Sequence, residues 1–516
     1  MNNIIRRIIN FITRNYFFYR KYIYTREEIL SYQDTFLSDV MQKNKDTFVG
    51  KKYHFGDVVD YKSFKKNIPV FHYDEYKEYI YMSVQWQQHI ICHDVIDFWA
   101  KTSGTTDDYQ KYIPVTQRYL KNNHYKWWKD TLSNYVHNNP DTKLFEWKSI
   151  VLWWPLWVNE CTWANNIGYI SAILQKNNHR FVQWLFVEPS QNISFLSDRS
   201  TKIAMIIDTC KHQNVTSILW VTSWSVFLMK NLVDMLWVRY VDDIWPDYEL
   251  FLTGGMDYRP LDLTIRNLFS KHITIRQAYN ASEWYFGVQV SNSIGYMQLL
   301  CCHDVYYEFL TQEDYDIWNY ENIINIYNIC VWINYVIIIT TSSWLYRYII
   351  GDTIQFHDVD KLLFEITGRT KSYLDSFGER VRENHTHTAI QKVCNTYHVS
   401  IIDYHVGVIK NTTHDGSGYH HWMIDLDAYD IDTTFTECNF TIDKLEEQLD
   451  DILKRSNLFY EWKRSGNILL QKPVVQLVPK GTFAKRFASK WKLWWQHKIP
   501  KLRNDDIIIK EIINLL

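Results

Sequence analysis

Between residues 149 and 252, short apolar runs rich in β-branched and aromatic side chains alternate with longer stretches of helical periodicity. "KSIVLWW", "RFVQWLF" and "VTSILWVTS" read as strands, and "WSVFLMKNLVDML" after the last of them reads as a helix. Such alternation requires crossover connections. It therefore predicts an α/β fold with a parallel or mixed sheet covered by helices. The 516 residues suffice for more than one core. The first hundred look helical, "TREEILSYQDTFLSDVMQKN" carrying a good cap. Beyond about residue 367 the elements shorten: a helix from Glu379, a hairpin around Gly416 and the helix "TIDKLEEQLDDILKRSN". The chain thus divides into a large N-terminal α/β domain, residues 1–365, and a small C-terminal α+β domain, residues 366–516. The hinge is expected between Gly351 and Gly368.

The composition narrows the partners. Net charge is -2, so no basic field points to nucleic acid. Residues 322–346 form an uncharged run, but four asparagines and the β-branched "YVIIITT" read as a buried strand, so no membrane span is expected. The basic, amphipathic "MNNIIRRIINFITRNYFFYRKYIY" has arginines inside every apolar run and is read as a helix packing on the protein's own body. Eight cysteines without CxxC spacing fit reduced thiols in a cytoplasmic protein, and the adjacent Cys301-Cys302-His303 does not suit a metal site. His398, His405, His414, His420 and His421 flank the apparent hairpin and are expected as exposed strand histidines. The anomaly is aromatic content, 23 Trp and 37 Tyr against only 16 Gly.

Five stretches carry polar groups suited to a nucleotide. In "KTSGTTDDYQKYIPVT", Thr102, Ser103, Thr105 and Thr106 place hydroxyls around Gly104, and Lys111 supplies a cation, as a phosphate cradle needs. The stretch is not a Walker loop and by itself also suits an ordinary turn. In "AYNASEWYFGVQV", Tyr279 suits stacking on a base, Ser282 hydrogen bonding and Glu283 a magnesium ion; a strand end with one exposed carboxylate is the alternative. In "TTSSWLYRYIIGDTIQF", Asp352 follows an apolar strand and suits a bidentate grip on ribose hydroxyls, or a plain Gly-Asp turn. "EITGRTKSYLDSFGERV" puts Arg369 and Lys371 on a glycine turn near the domain junction, and "WWQHKIPKLRND" brings Lys498 near the C-terminus.

Taken together and in order, these motifs resemble the auxin-responsive family of acyl-acid amido synthetases, in its shorter bacterial branch. These are adenylate-forming enzymes of the firefly-luciferase-like superfamily. "FLTGGMDYRPL", "YYEFL", "LYRYIIGD", "TGRTK", "YHHWMI", "YEWKR" and "QHKIP" extend the resemblance over nearly the whole chain. The resemblance implies a large domain with mixed sheets and a mobile small one. It also implies an ATP- and Mg2+-dependent ligase that joins a carboxylic acid to an amine or amino acid through an acyl-adenylate. Thr102, Ser103, Gly104, Thr105, Thr106, Tyr279, Asn280, Ala281, Ser282, Asp352 and Arg369 would then bind nucleotide. Glu283 would hold the metal, and Lys111 and Lys498 would offset phosphate charge.

The chain departs from the family with a theme. Asp107 and Asp108 stand where glycine usually follows the threonines, and Trp284, Trp344, Trp494 and Trp495 stand at other glycine positions. Trp153 and Trp154 crowd a region where relatives carry small residues, and His421 falls where a carboxylate is usual. Rings in place of hydrogens are expected to crowd the pocket. An amine ligase, a thiol-accepting ligase and a nucleotide-binding protein without catalysis stay open as readings.

Overall fold

The computed structural model describes residues 3–85, 88–102, 111–151, 156–157, 167–178, 180–194, 196, 198–255, 257–291, 295–370, 372–411, 417–427, 441–464, 469–489 and 499–516. Its centre is a mixed twelve-stranded sheet. Lys148–Val151, Val187–Glu188, Val215–Val221, Leu250–Gly254 and Thr274–Asn280 form the parallel part. From Thr274–Asn280 the sheet continues antiparallel through Tyr285–Gln289, Met297–Leu299, Leu363–Arg369, Tyr348–Asp358, Asn334–Thr341 and Val305–Thr311. The expected alternation is present, with one exception. "RFVQWLF" is the helix Arg180–Phe186, followed by the two-residue strand Val187–Glu188. Phe181 and Trp184 are exposed while Leu185 is buried, which is helical periodicity on a surface element; an apolar run this short does not distinguish the two periods.

The uncharged run resolves as expected into the wholly buried strand Asn334–Thr341, with a strand on either side. Among the described residues no helix is long and apolar enough to cross a membrane. The N-terminal helix Asn3–Tyr19 does pack on the body, but through its polar side. Arg6 donates to the Glu146 carbonyl (3.2 Å), Asn10 donates to the Thr142 carbonyl (3.1 Å) and accepts from the Phe145 N–H (3.2 Å), and Phe17 stacks on Phe145. Ile4, Ile8, Phe11 and Ile12 face outward. Helix Arg26–Asn44 opens on the capping box formed by Thr25 and Glu28.

The C-terminal residues gather a core of their own around the strands Ile401–Lys410 and Gly418–Leu426, which pair antiparallel as the hairpin reading expects. Helices Glu383–Tyr397 and Ile442–Ser456 contribute to this core. The first starts at residue 383 rather than 379. Gly378, at φ 81°, turns the chain there, and Glu379 is buried, accepting from the Phe377 N–H (2.7 Å) and lying 2.9 Å from His420 Nε2. His398 is exposed as expected, but at the left-handed end of helix Glu383–Tyr397 rather than on a strand, and the strand histidines are not exposed. His405, His420 and His421 are buried because the hairpin is sandwiched: a second apolar cluster, including Phe483, Ile508 and Ile512, covers its other side. His405 packs with Nδ1 2.7 Å from the Pro500 carbonyl, and burial lowers its pKa to about 4. His414 lies outside the described residues. Strand Leu363–Arg369 remains in the large sheet through Arg369, so the expected 365/366 boundary falls within it.

Among the described residues, tryptophan occupies three left-handed backbone positions, Trp237, Trp318 and Trp332, at φ 53°, 59° and 63°. All three rings are exposed. Trp237 caps helix Thr222–Leu236, with Val238 N–H returning to the Val233 carbonyl (3.2 Å), a closure that favours glycine. Left-handed backbone costs a residue with Cβ about 1–2 kcal/mol, and an exposed indole contributes little in return. Trp237→Gly is therefore expected to stabilise the fold by about 1 kcal/mol, read as a higher urea midpoint at unchanged slope. A lower midpoint would show that the ring packs in solution.

Candidate active site

Three neighbouring parallel strands, Val215–Val221, Leu250–Gly254 and Thr274–Asn280, end at one wall of a cavity of about 2240 Å3. The carboxyl ends of such strands are where open α/β sheets place ligands, because the chain leaves the sheet there in loops. Backbones approach closely at this wall: a Cβ on Gly254 would lie 2.5 Å from Asn280 Oδ1.

The cavity brings together every described member of the expected nucleotide set. Thr102, Lys111, Tyr279, Asn280, Ala281, Ser282, Glu283, Asp352 and Arg369 all line it. Thr102 and Lys111 extend the antiparallel strands Ile96–Lys101 and Tyr112–Thr116. Thr102 N–H donates to the Lys111 carbonyl (3.0 Å), and Lys111 N–H to Thr102 Oγ1 (3.1 Å), so both ends of the loop are fastened at the cavity. Ser103, Gly104, Thr105, Thr106, Asp107 and Asp108 lie outside the described residues, as do Lys371, Trp153, Trp154, Trp494, Trp495 and Lys498.

Asp352 and Arg369 pair across neighbouring strands, with Arg369 Nε 3.2 Å from Asp352 Oδ1. Tyr279 donates its hydroxyl to the other carboxylate oxygen at 2.7 Å. Burial first, then the Asp352 carboxylate, pushes the Tyr279 phenol well above its usual pKa, so it stays a donor. Its ring packs against Phe286 (4.8 Å) and Phe364 (6.1 Å). Tyr279 is thus fixed as a positioning residue for Asp352. Burial works against the Arg369 cation, but the Asp352 and Glu383 carboxylates more than offset it. Glu283 is nearly buried in the wall; burial raises its carboxyl pKa, and Lys111 opposes that rise. A carboxylate lining the cavity has the oxygen donors that suit Mg2+.

Trp284 and Trp344 do not crowd this space. Trp284 is fully buried beside Tyr119 (4.6 Å) and donates to the His303 carbonyl (3.0 Å). Trp344 is fully buried against Tyr76 (5.5 Å) and Tyr348 (6.3 Å). Neighbouring positions in strands and turns point to opposite sides, so a motif tryptophan beside a site residue need not enter the site.

The sequence reading missed a second group. Asp257 takes Arg259 at 2.5 Å and His387 at 3.3 Å, linking the loop after Leu250–Gly254 to helix Glu383–Tyr397. Burial acts to raise the Asp257 carboxyl; Arg259 and His387 outweigh it and hold it well below the usual range. Asp427 likewise takes Lys480 (3.0 Å) and Lys230. These ion pairs close the cavity between the two halves of the chain, and charged residues in "FLTGGMDYRPL" were their one visible signal.

Family models match three consecutive parts of the chain: the GH3 family N-terminal domain over residues 22–276, the GH3 family central domain over 298–369 and the GH3 family C-terminal domain over 384–507. The chain belongs to the GH3 family. Among solved structures it is similar to a GH3.15 acyl acid amido synthetase, at TM-score 0.73 and 18% identity over 94% of this chain and 93% of that one. AtGH3.15 acyl acid amido synthetase in complex with 2,4-DB gives TM-score 0.74 and 16% identity over 100% and 97%. A 2-hydroxyisobutyryl-CoA ligase in the postadenylation state, in complex with R3-HIB-AMP, gives 0.59 and 12% over 95% and 91%. The fold is thus that of adenylate-forming enzymes. No curated protein matches the sequence.

Proposed function

We propose that this GH3-family chain is an ATP-dependent acyl-acid amido synthetase, activating a small carboxylic acid as its acyl-adenylate and passing the acyl group to an amine or amino acid. The observation that carries this reading is the convergence of Thr102, Lys111, Tyr279, Ser282, Glu283, Asp352 and Arg369, from four separate stretches of sequence, on one cavity.

Asp352, oriented by Tyr279 and Arg369, holds the ribose hydroxyls. Thr102, with Ser103, Gly104, Thr105 and Thr106 of the adjoining loop, binds the phosphates; Asn280, Ala281 and Ser282 edge the nucleotide. Glu283 holds Mg2+, whose charge lowers repulsion between the phosphates and the incoming carboxylate. Lys111 adds a cation at the phosphates, and Lys498 a second when the C-terminal unit closes. The acid's carboxylate oxygen forms a bond to the α-phosphorus as the bond to the pyrophosphate oxygen breaks. The amine nitrogen then bonds to the acyl carbon, AMP leaves with the former carboxylate oxygen, and the amine's proton passes to solvent. The chain through Arg369, four residues past the boundary expected at 365/366, forms the fixed body and the residues after it the closing unit. The unpaired cysteines among the described residues fit a cytoplasmic setting.

Pyrophosphate exchange into ATP, with a panel of carboxylic acids, tests the first half-reaction. Acid-dependent exchange, followed by AMP and an amide once amino acids are added, is the expected result. A thioester appearing only with a thiol would move the chain to the thiol-accepting ligases. Mg-ATP binding without exchange for any acid would make it a nucleotide-binding protein without this chemistry.

A further inference from the structure

A surface helix ordinarily buries its apolar stripe against the core. The N-terminal helix Asn3–Tyr19 does the reverse. Asn10 and Phe17, seven residues apart and so on one side, are its buried positions, and Arg6 and Asn10 fasten that side to the Glu146 and Thr142 carbonyls. The opposite side carries Ile8, Phe11, Ile12 and Tyr19 at helical spacing, with Ile5 and Tyr16 along one edge. All six are exposed, Ile8 by 52%, Phe11 by 59% and Ile12 by 62%. A second apolar group is tied in through Phe145, the ring on which Phe17 stacks. Phe145 also meets Phe186 (6.3 Å), the end of helix Arg180–Phe186, whose Phe181 and Trp184 are exposed. Continuous apolar surface of this kind marks a face that meets a protein or a membrane.

Charge selects between them. Residues 1–24 contain Arg6, Arg7, Arg14, Arg20 and Lys21 and no carboxylate. Arg20 is taken up by Asp130 and Lys21 by Glu28. Arg7 and Arg14 stand one turn to either side of Phe11, at the margin of the apolar stripe. Their ion pairs are loose, 3.7 Å to Glu146 and 3.9 Å to Asp141, and the Arg7 side chain is 78% exposed. Such guanidinium groups can turn to anions level with the stripe while the apolar side chains enter a non-aqueous phase. A bilayer with anionic headgroups offers both at once. A second copy of this chain would instead bring more of the same cations along the stripe.

We infer that helix Asn3–Tyr19 is a membrane-surface element, lying in the headgroup layer of an anionic bilayer with Ile8, Phe11 and Ile12 inserted and Arg7 and Arg14 on lipid phosphates. It lies on the bilayer and does not cross it. The element acts the same way whatever reaction the cavity supports.

Co-sedimentation of the whole protein with large unilamellar vesicles tests it, using phosphatidylcholine alone and phosphatidylcholine mixed with phosphatidylglycerol. The mixed vesicles are expected to bind the protein at least about tenfold more tightly, and high salt should remove the difference. Ile8→Ser/Phe11→Ser/Ile12→Ser should weaken that binding at least about tenfold, with an unchanged urea midpoint because the three side chains are exposed. Arg7→Gln/Arg14→Gln should reduce binding to the mixed vesicles and leave that to neutral ones unaltered. No binding to either vesicle, equal binding to both, or a triple serine variant that binds like the parent would each overturn the inference. Light scattering that shows a dimer split by the triple serine variant, without vesicle binding, would assign the stripe to a second copy of the chain instead.

Discussion

Asp352→Ala is expected to weaken Mg-ATP binding about 100-fold, measured by calorimetric titration, with acid-dependent pyrophosphate exchange falling in step. The figure follows from two hydrogen bonds to a charged acceptor, each contributing roughly 1.5 kcal/mol or more, with every 1.4 kcal/mol a factor of ten. The same carboxylate organises its surroundings: without it the Tyr279 hydroxyl loses its acceptor and Arg369 its ion partner. Alanine should therefore also lower stability by about 1–3 kcal/mol. Asp352→Asn separates the two effects. It keeps an acceptor for Tyr279 and the side chain's shape but not the charge facing Arg369, so stability should fall less than in the alanine variant, whereas a neutral amide holds two ribose hydroxyls poorly. Unchanged ATP affinity in both variants would remove Asp352 from the nucleotide site and leave it a structural carboxylate.

The largest stability effect is expected at Arg347, five residues upstream. Its guanidinium makes a two-pronged pair with Glu308, Nε to Oε2 at 2.9 Å and Nη2 to Oε1 at 3.0 Å, and donates through Nη1 to the Ile68 carbonyl at 2.7 Å. Both side chains are buried, and Tyr61 donates to the same Glu308 carboxylate (3.0 Å). Arg347→Met removes the cation and leaves the anion in the core, at a cost of about 3–5 kcal/mol. Urea unfolding checks it. The double variant Arg347→Met/Glu308→Leu should recover part of the loss, because a buried apolar pair avoids the unpaired charge. A double variant no better than the sum of the singles would show that the two residues act independently. Since Arg347 also ties the segment after residue 65 to the strand Tyr348–Asp358 that carries Asp352, its loss should loosen the nucleotide wall as well.

The tryptophans fall into two kinds of position that look alike in a sequence. Trp284 and Trp344 fill the core behind the cavity, and the cavity wall keeps its polar set. Trp237, Trp318 and Trp332 raise a backbone cost at the surface, where the φ angle rather than the available space favours glycine.

Local order alone determined the α/β alternation, the capped helix after Thr25, the buried strand Asn334–Thr341 and the C-terminal hairpin. Each is written in side-chain periodicity, capping or β-branching within a few residues. The polar residues that meet in the cavity were legible too, as residue types in short motifs. Direction and depth were not legible. Whether "RFVQWLF" coils or extends, which side of the N-terminal helix docks, and that His405 and His420 are buried depend on what covers each element. The link from Asp257 to His387 spans 130 residues, and that from Asn123 to Tyr285 spans 162. No local pattern encodes such contacts. They arise when strands far apart in sequence come into register, and only packing decides which side chains then share a wall.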